Sequence, residues 1–183
     1  MDEQFEFLRS IVERLEAVGI PYMLTGSLAL AIWARPRMTR DVDVVIEADA
    51  AAVERLVAAF SSDSYIDRDA ALDATTSGTM FNAVHLSSLL KADFILRRDD
   101  PYERTKFARR LQVELEGRAV AVISPEDLIL SKLAWARESG SARQNEDVAL
   151  LLRDIPELDR KYLRQWAAAL GLTEALARSA HDD

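Results

Sequence analysis

Phe5, Leu8, Ile11, Val12, Leu15 and Val18 recur at three- and four-residue intervals. That is the spacing of one helix face, and it predicts a helix over residues 3–18. Gly19 and Pro21 supply its stop signal. Residues 21–25 read as a short buried strand, Gly26-Ser27 as a turn, and residues 28–34 as a helix capped by Ser27. Pro36 disfavours helical backbone at the residue before it, so residues 35–38 read as a loop. From residue 40 the period becomes two: Val42, Val44 and Ile46 share one face of a strand over 40–46, and Asp41, Asp43 and Val45 the other. An alanine-rich helix is expected over 49–60, a turn over 61–65 and a short helix over 69–75. Strands follow at 81–86 and 91–96 around a Ser-Ser turn. Asp100-Pro101 opens another helix, and residues 111–115 and 119–123 read as a hairpin around Glu116-Gly117-Arg118.

The pattern changes at Ser124-Pro125-Glu126-Asp127, where a cap, a proline and first-turn acids start a helix. Helices are then expected over 125–138, 143–153, 159–170 and 173–180. This predicts an α/β (α+β) protein with a mixed β-sheet core flanked by helices in residues 1–123. An α-helical C-terminal region follows in residues 124–183.

Composition narrows the chemistry. Of 183 residues, 49% are hydrophobic and 30% charged, a balance that supports a packed core. There is no cysteine, which excludes thiolate catalysis, disulfides and Cys-ligated zinc. The net charge of −8 repels a phosphate backbone except at two basic stretches, Arg35, Arg37 and Arg40, and residues 97–110. Met1-Asp-Glu-Gln-Phe lacks a basic-then-apolar leader pattern, and the apolar runs are too short to span a bilayer. The expectation is a soluble cytoplasmic protein with no membrane partner.

Two carboxylates at i and i+2 of a strand point to the same side, with Cα atoms roughly 6.5 Å apart. Asp41 and Asp43 therefore repel each other unless a cation lies between them. Asp93 repeats the arrangement, since Lys91, Asp93 and Ile95 share a strand face opposite Ala92, Phe94 and Leu96. Three converging carboxylates suit Mg2+, a hard ion that bridges carboxylates to substrate phosphates. Gly26-Ser27 between a strand and a helix lets backbone approach a phosphate.

Strand, Gly-Ser, helix, then Asp-x-Asp on the next strand and a lone Asp on a later one resembles the DNA polymerase beta-like nucleotidyltransferase superfamily. Within it the chain is similar to small bacterial nucleotidyltransferase-like proteins related to the AbiE-type toxins of toxin–antitoxin pairs. The stretches that carry this are Thr25-Gly-Ser-Leu-Ala-Leu-Ala, Arg37-Met-Thr-Arg-Asp-Val-Asp-Val and Ser124-Pro-Glu-Asp-Leu-Ile-Leu-Ser-Lys-Leu, with Arg143-Gln and Asp147 after them. The resemblance covers most of residues 20–152. It implies transfer of a nucleoside monophosphate from a nucleoside triphosphate to a hydroxyl on a protein, small molecule or RNA. Gly26, Ser27, Arg40 and Lys132 would bind nucleotide. Asp41, Asp43 and Asp93 would be catalytic and would ligate Mg2+ or Mn2+, with Asp93 helping to deprotonate the acceptor. A cognate antitoxin is an implied partner.

Taken singly, the same features have plainer readings. Asp-x-Asp suits a solvated strand edge, Gly-Ser a turn and cap, Lys91 and Asp93 a surface ion pair, and Lys132 a solvent-facing lysine. Together they admit a second reading, a catalytically inactive interaction or regulatory module on the same fold. His85 reads as structural, and His181 falls in a frayed terminus. Trp33, Trp135 and Trp166 read as core or subdomain-contact residues.

Overall fold

The structure is a computed structural model, and it describes residues 2–34 and 40–180. The expected loop at Pro36, the basic residues Arg35 and Arg37, and His181 lie outside the described residues.

Helix α1 (Asp2–Ala17) buries Leu8, Ile11, Val12 and Leu15, the stripe its periodicity predicts. Strand β1 (Tyr22–Leu24), helix α2 (Gly26–Trp33), strand β2 (Asp41–Ile46) and helix α3 (Ala50–Phe60) follow. Asp49 caps α3 by accepting from the Ala52 N–H at 2.8 Å. Next come β3 (Ser64–Ile66), α4 (Arg68–Ser77), β4 (Met80–His85), β5 (Lys91–Leu96), α5 (Pro101–Ala108), β6 (Leu111–Leu115) and β7 (Arg118–Val122). The C-terminal part is helical: α6 (Pro125–Ser139), α7 (Ala142–Asp154), α8 (Arg160–Ala169) and α9 (Thr173–Ser179). Among the described residues, no helix is long and apolar enough to cross a membrane.

The strands form one seven-stranded sheet in the order β3-β4-β5-β2-β1-β7-β6. Its centre is the parallel pair β2 and β5, in a register that sets Asp41 opposite Lys91, Asp43 opposite Asp93 and Val44 opposite Phe94. β1 runs antiparallel to β2 and parallel to β7. Val42, Val44, Ile46, Ala92 and Phe94 are buried, so the apolar faces of β2 and β5 lie in the core. Phe81 and Phe60 pack on Phe94, with ring centroids 5.2 and 5.7 Å away. One cluster of buried residues runs from α1 through the sheet into α6, α7 and α8.

Two local expectations change. The expected turn over 61–65 contains the start of β3, which pairs antiparallel with β4 at the sheet edge. Ser27 is not a cap: Thr25 holds that position without a side-chain hydrogen bond, and Ser27 lies in the first turn of α2. The basic stretch 97–110 is met by the chain's own acids. Arg97 pairs with Glu47, Arg104 with Asp99, Lys106 with Glu103 and Arg109 with Glu126.

Candidate functional site

The register of β2 and β5 puts Asp43 and Asp93 side by side on the face opposite the core. Gly26 closes in from the end of β1. It has φ +66, and a Cβ there would fall 1.9 Å from Asp43 Oδ2. Only glycine lets the start of α2 come this close to the carboxylate. The Ser27 backbone N–H then donates to Asp43.

These groups line a cavity of about 340 Å³ whose opposite wall is α6. Leu128, Ser131, Lys132 and Trp135 lie at helical i, i+3, i+4 and i+7 spacing and present one stripe to it. Thr25, Met80, Ile95 and Gln144 complete the lining. Lys132 is buried, 5% exposed, and its ammonium donates to Asp147 Oδ2 at 2.7 Å and Gln144 Oε1 at 3.1 Å. Gln144 and Asp147 of α7 thus hold a lysine of α6 at the cavity.

The electrostatics of the acids are unbalanced. Burial, then the charges of Asp93 and Asp41, push the Asp43 carboxyl above the ordinary range; the Ser27 N–H and Lys132 oppose this. Asp93 is buried and pairs through Oδ2 with Lys91 at 3.0 Å, while its Oδ1 has no hydrogen-bond partner. The hydrogen bond to Asp93 raises the Lys91 ammonium.

The structure thus brings together Gly26, Ser27, Asp43, Asp93 and Lys132. Asp41 and Arg40 are exposed at the start of β2 and do not line this cavity. Asp41 is still near enough to act on Asp43 through its charge. Among the described residues, no group of three or more His, Asp or Glu side chains is gathered to hold one metal ion. Asp41 lies across from Lys91 in the strand register, and Lys91 takes one oxygen of Asp93.

Sequence reading gave no site role to Met80, Ile95, Ser131 and Gln144, although Ser131 and Gln144 fall in the stretches that carry the resemblance. Trp135, read as a core or subdomain-contact residue, is 58% exposed at the cavity wall. Trp33 donates from Nε1 to the Ile123 carbonyl at 2.8 Å, and Trp166 packs on Tyr102.

Residues 10–179 match the model of the family described as nucleotidyl transferase AbiEii toxin, type IV TA system. The chain belongs to the AbiEii nucleotidyltransferase family. It is an enzyme of the nucleotidyltransferase class, and its mixed sheet with flanking helices is the fold expected of one. Solved structures agree on the fold. An antigenic nucleotidyltransferase-like protein from Paracoccidioides brasiliensis is 18% identical, with TM-score 0.63 over 97% of this chain and 92% of its own. ANT(2")-Ia in complex with adenylyl-2"-tobramycin is 16% identical, with TM-score 0.62 over 92% and 97%. The lincosamide antibiotic adenylyltransferase LnuA, lincomycin-bound, is 12% identical, with TM-score 0.57 over 85% and 98%. Among curated proteins, none matches this sequence.

Proposed function

We propose that this enzyme moves a nucleoside monophosphate from a nucleoside triphosphate to a hydroxyl acceptor, dependent on Mg2+ or Mn2+, and that it is the toxin of a toxin–antitoxin pair. The observation that carries the transfer reading is the Asp43–Asp93 pair, in register beside Gly26-Ser27 and facing Lys132 across one cavity. The acceptor oxygen attacks the α-phosphorus, the bond to pyrophosphate breaks, and Asp93 takes the hydroxyl proton. Gly26 and Ser27 seat the triphosphate against the start of α2. Lys132, fixed by Asp147 and Gln144, offers positive charge to the phosphates from the far wall. Arg40 stands outside the cavity, where it serves an incoming polyanion as a guide.

Asp43 and Asp93, with Asp41 beside them, would hold the divalent ion. Hard oxygen donors, an unpartnered carboxylate oxygen and mutual repulsion are what such an ion relieves. Its chemistry would be charge neutralisation on the phosphates. The acceptor class finds support in a structural neighbour whose bound molecule is adenylyl-2"-tobramycin. The toxin role and its antitoxin rest on the family's description.

Calorimetry with each nucleoside triphosphate and magnesium tests the transfer reading. Wild type should bind, and Asp43→Ala should not. Binding that is absent from wild type, or equal in Asp41→Ala and Asp43→Ala to wild type, overturns it. Growth unaffected by overexpression counts against a toxin.

A further inference from the structure

We infer that Trp135 is the platform on which the nucleobase of the triphosphate stacks, and that the site consequently accepts more than one base. This rests on the nucleotidyltransferase reading of the cavity.

The stripe along α6 grades from closed to open. Leu128 is 1% exposed, Lys132 5% and Trp135 58%. One helical turn rises about 5.4 Å, so the indole lies roughly one turn farther toward the mouth than the Lys132 position. The acids, Gly26 and Ser27 occupy the opposite wall. A nucleotide with its phosphates there has to project its base away from the carboxylates, toward the α6 side and the mouth. The surface it meets is apolar, formed by Trp135 together with Met80, itself 47% exposed, and Ile95.

Trp135 is also unlike the other tryptophans. Trp33 spends its N–H on a backbone carbonyl, and Trp166 has tyrosine rings against it. Among the described residues, no aromatic ring or cation stacks on the Trp135 indole. A large apolar ring left open on a stripe whose Leu128 and Lys132 are buried is unfavourable in water, and a planar partner removes that cost. Stacking reads the π-face that every base has, not its hydrogen-bonding edge, so it tolerates base identity.

The test is calorimetry at fixed magnesium with ATP, UTP and inorganic tripolyphosphate, using wild type, Trp135→Ala and Trp135→Phe. Trp135→Ala should bind ATP and UTP about tenfold more weakly, the effect of losing one aromatic stacking surface. Trp135→Phe should recover both to within about threefold of wild type, since a ring remains. Tripolyphosphate, which has no base, should bind all three proteins equally. ATP should quench the indole emission that Trp135→Phe lacks. Equal ATP affinity in wild type and Trp135→Ala overturns the platform while leaving the transferase reading intact. Equal loss for tripolyphosphate and ATP overturns it too, since the residue then shapes the phosphate site. Wild type that binds neither ATP nor tripolyphosphate overturns both readings.

Discussion

Asp127 and Asp93 are both buried carboxylates, but their surroundings differ. Asp127 is fully enclosed, and each oxygen accepts a hydroxyl hydrogen bond, Oδ2 from Ser124 Oγ and Oδ1 from Tyr162, both at 2.8 Å. Arg109 approaches it at 3.5 Å and lies 3.8 Å over the Tyr162 ring. Burial, and then the bond to Asp127, push the Tyr162 hydroxyl up, so it stays a donor at neutral pH. This cluster ties α6 to α8 and to the end of α5. Asp93 has one oxygen without a partner, and its in-register neighbour is another acid. Buried charge alone does not separate scaffold from site. The distinction lies in whether the surrounding groups complete the hydrogen bonding or leave it to an incoming ligand.

That contrast can be broken by mutation. The largest expected effect is from Asp43→Asn, which should lower turnover on the order of a thousandfold. Its stability should hold or rise. The folded carboxyl has a raised pKa, so folding disfavours the ionised form; the group's contribution falls as pH rises through the folded value and is a cost at pH 7. A clear fall in melting temperature at pH 7 would put Asp43 with the scaffold. Asp127→Ala should do the reverse. Removing one partner of a buried charge cluster costs about 3 kcal/mol, or roughly 6–12 °C in a chain of this size. Nucleotide affinity of the protein that remains folded should be retained, as titration below the transition would show.

Tyr162→Phe is a finer probe of the same cluster. Loss of one hydrogen bond to Asp127 should cost about 1 kcal/mol, seen as a small shift of the denaturant midpoint. No shift would mean that Ser124 and Arg109 suffice. The smallest effect belongs to the part-exposed pair Arg14–Asp63, where Arg14 also covers the Phe60 ring at 4.5 Å. The hydrogen bond from Arg14 holds the Asp63 carboxyl low. Its stabilisation is therefore present above the unfolded carboxyl range near ~pH 4 and is lost as pH falls through the lower folded value. Asp63→Asn should cost at most about 0.5 kcal/mol at neutral pH, and the difference from wild type should vanish in acid melts.

Much of the fold was legible because the strands announce themselves. Period two at residues 41–46 and 91–96 separates acids from core, and helix starts at Asp100-Pro101 and Ser124-Pro125 mark α5 and α6. β3 was not legible: three residues at a sheet edge are too few to show a period. Nor does alternation reveal which strands are neighbours, so the meeting of Asp43 and Asp93 needed the parallel pairing of β2 with β5. Lys132 and Trp135 are hard to place for a related reason. Helical spacing shows that they share a face with Leu128, but not that this face turns to a cavity. Spacing alone leaves the lysine readable as solvated or as a ligand of nucleotide, and the tryptophan as core or subdomain contact; the structure buries the first and exposes the second.

Gly26 and Asp43 occupy nearly the same space: the hydrogen of one sits where a methyl would strike the carboxylate of the other. Drift at the two positions is therefore epistatic. A lineage that keeps aspartate at 43 cannot add a side chain at 26, whereas one that has lost the acid keeps only the milder backbone constraint of φ +66. Gly26→Ala should accordingly cost less beside Asp43→Ala than alone, a non-additive pair. In a decaying copy of this enzyme the acid would be lost before the glycine, so an intact Gly26 is no guarantee of a working site.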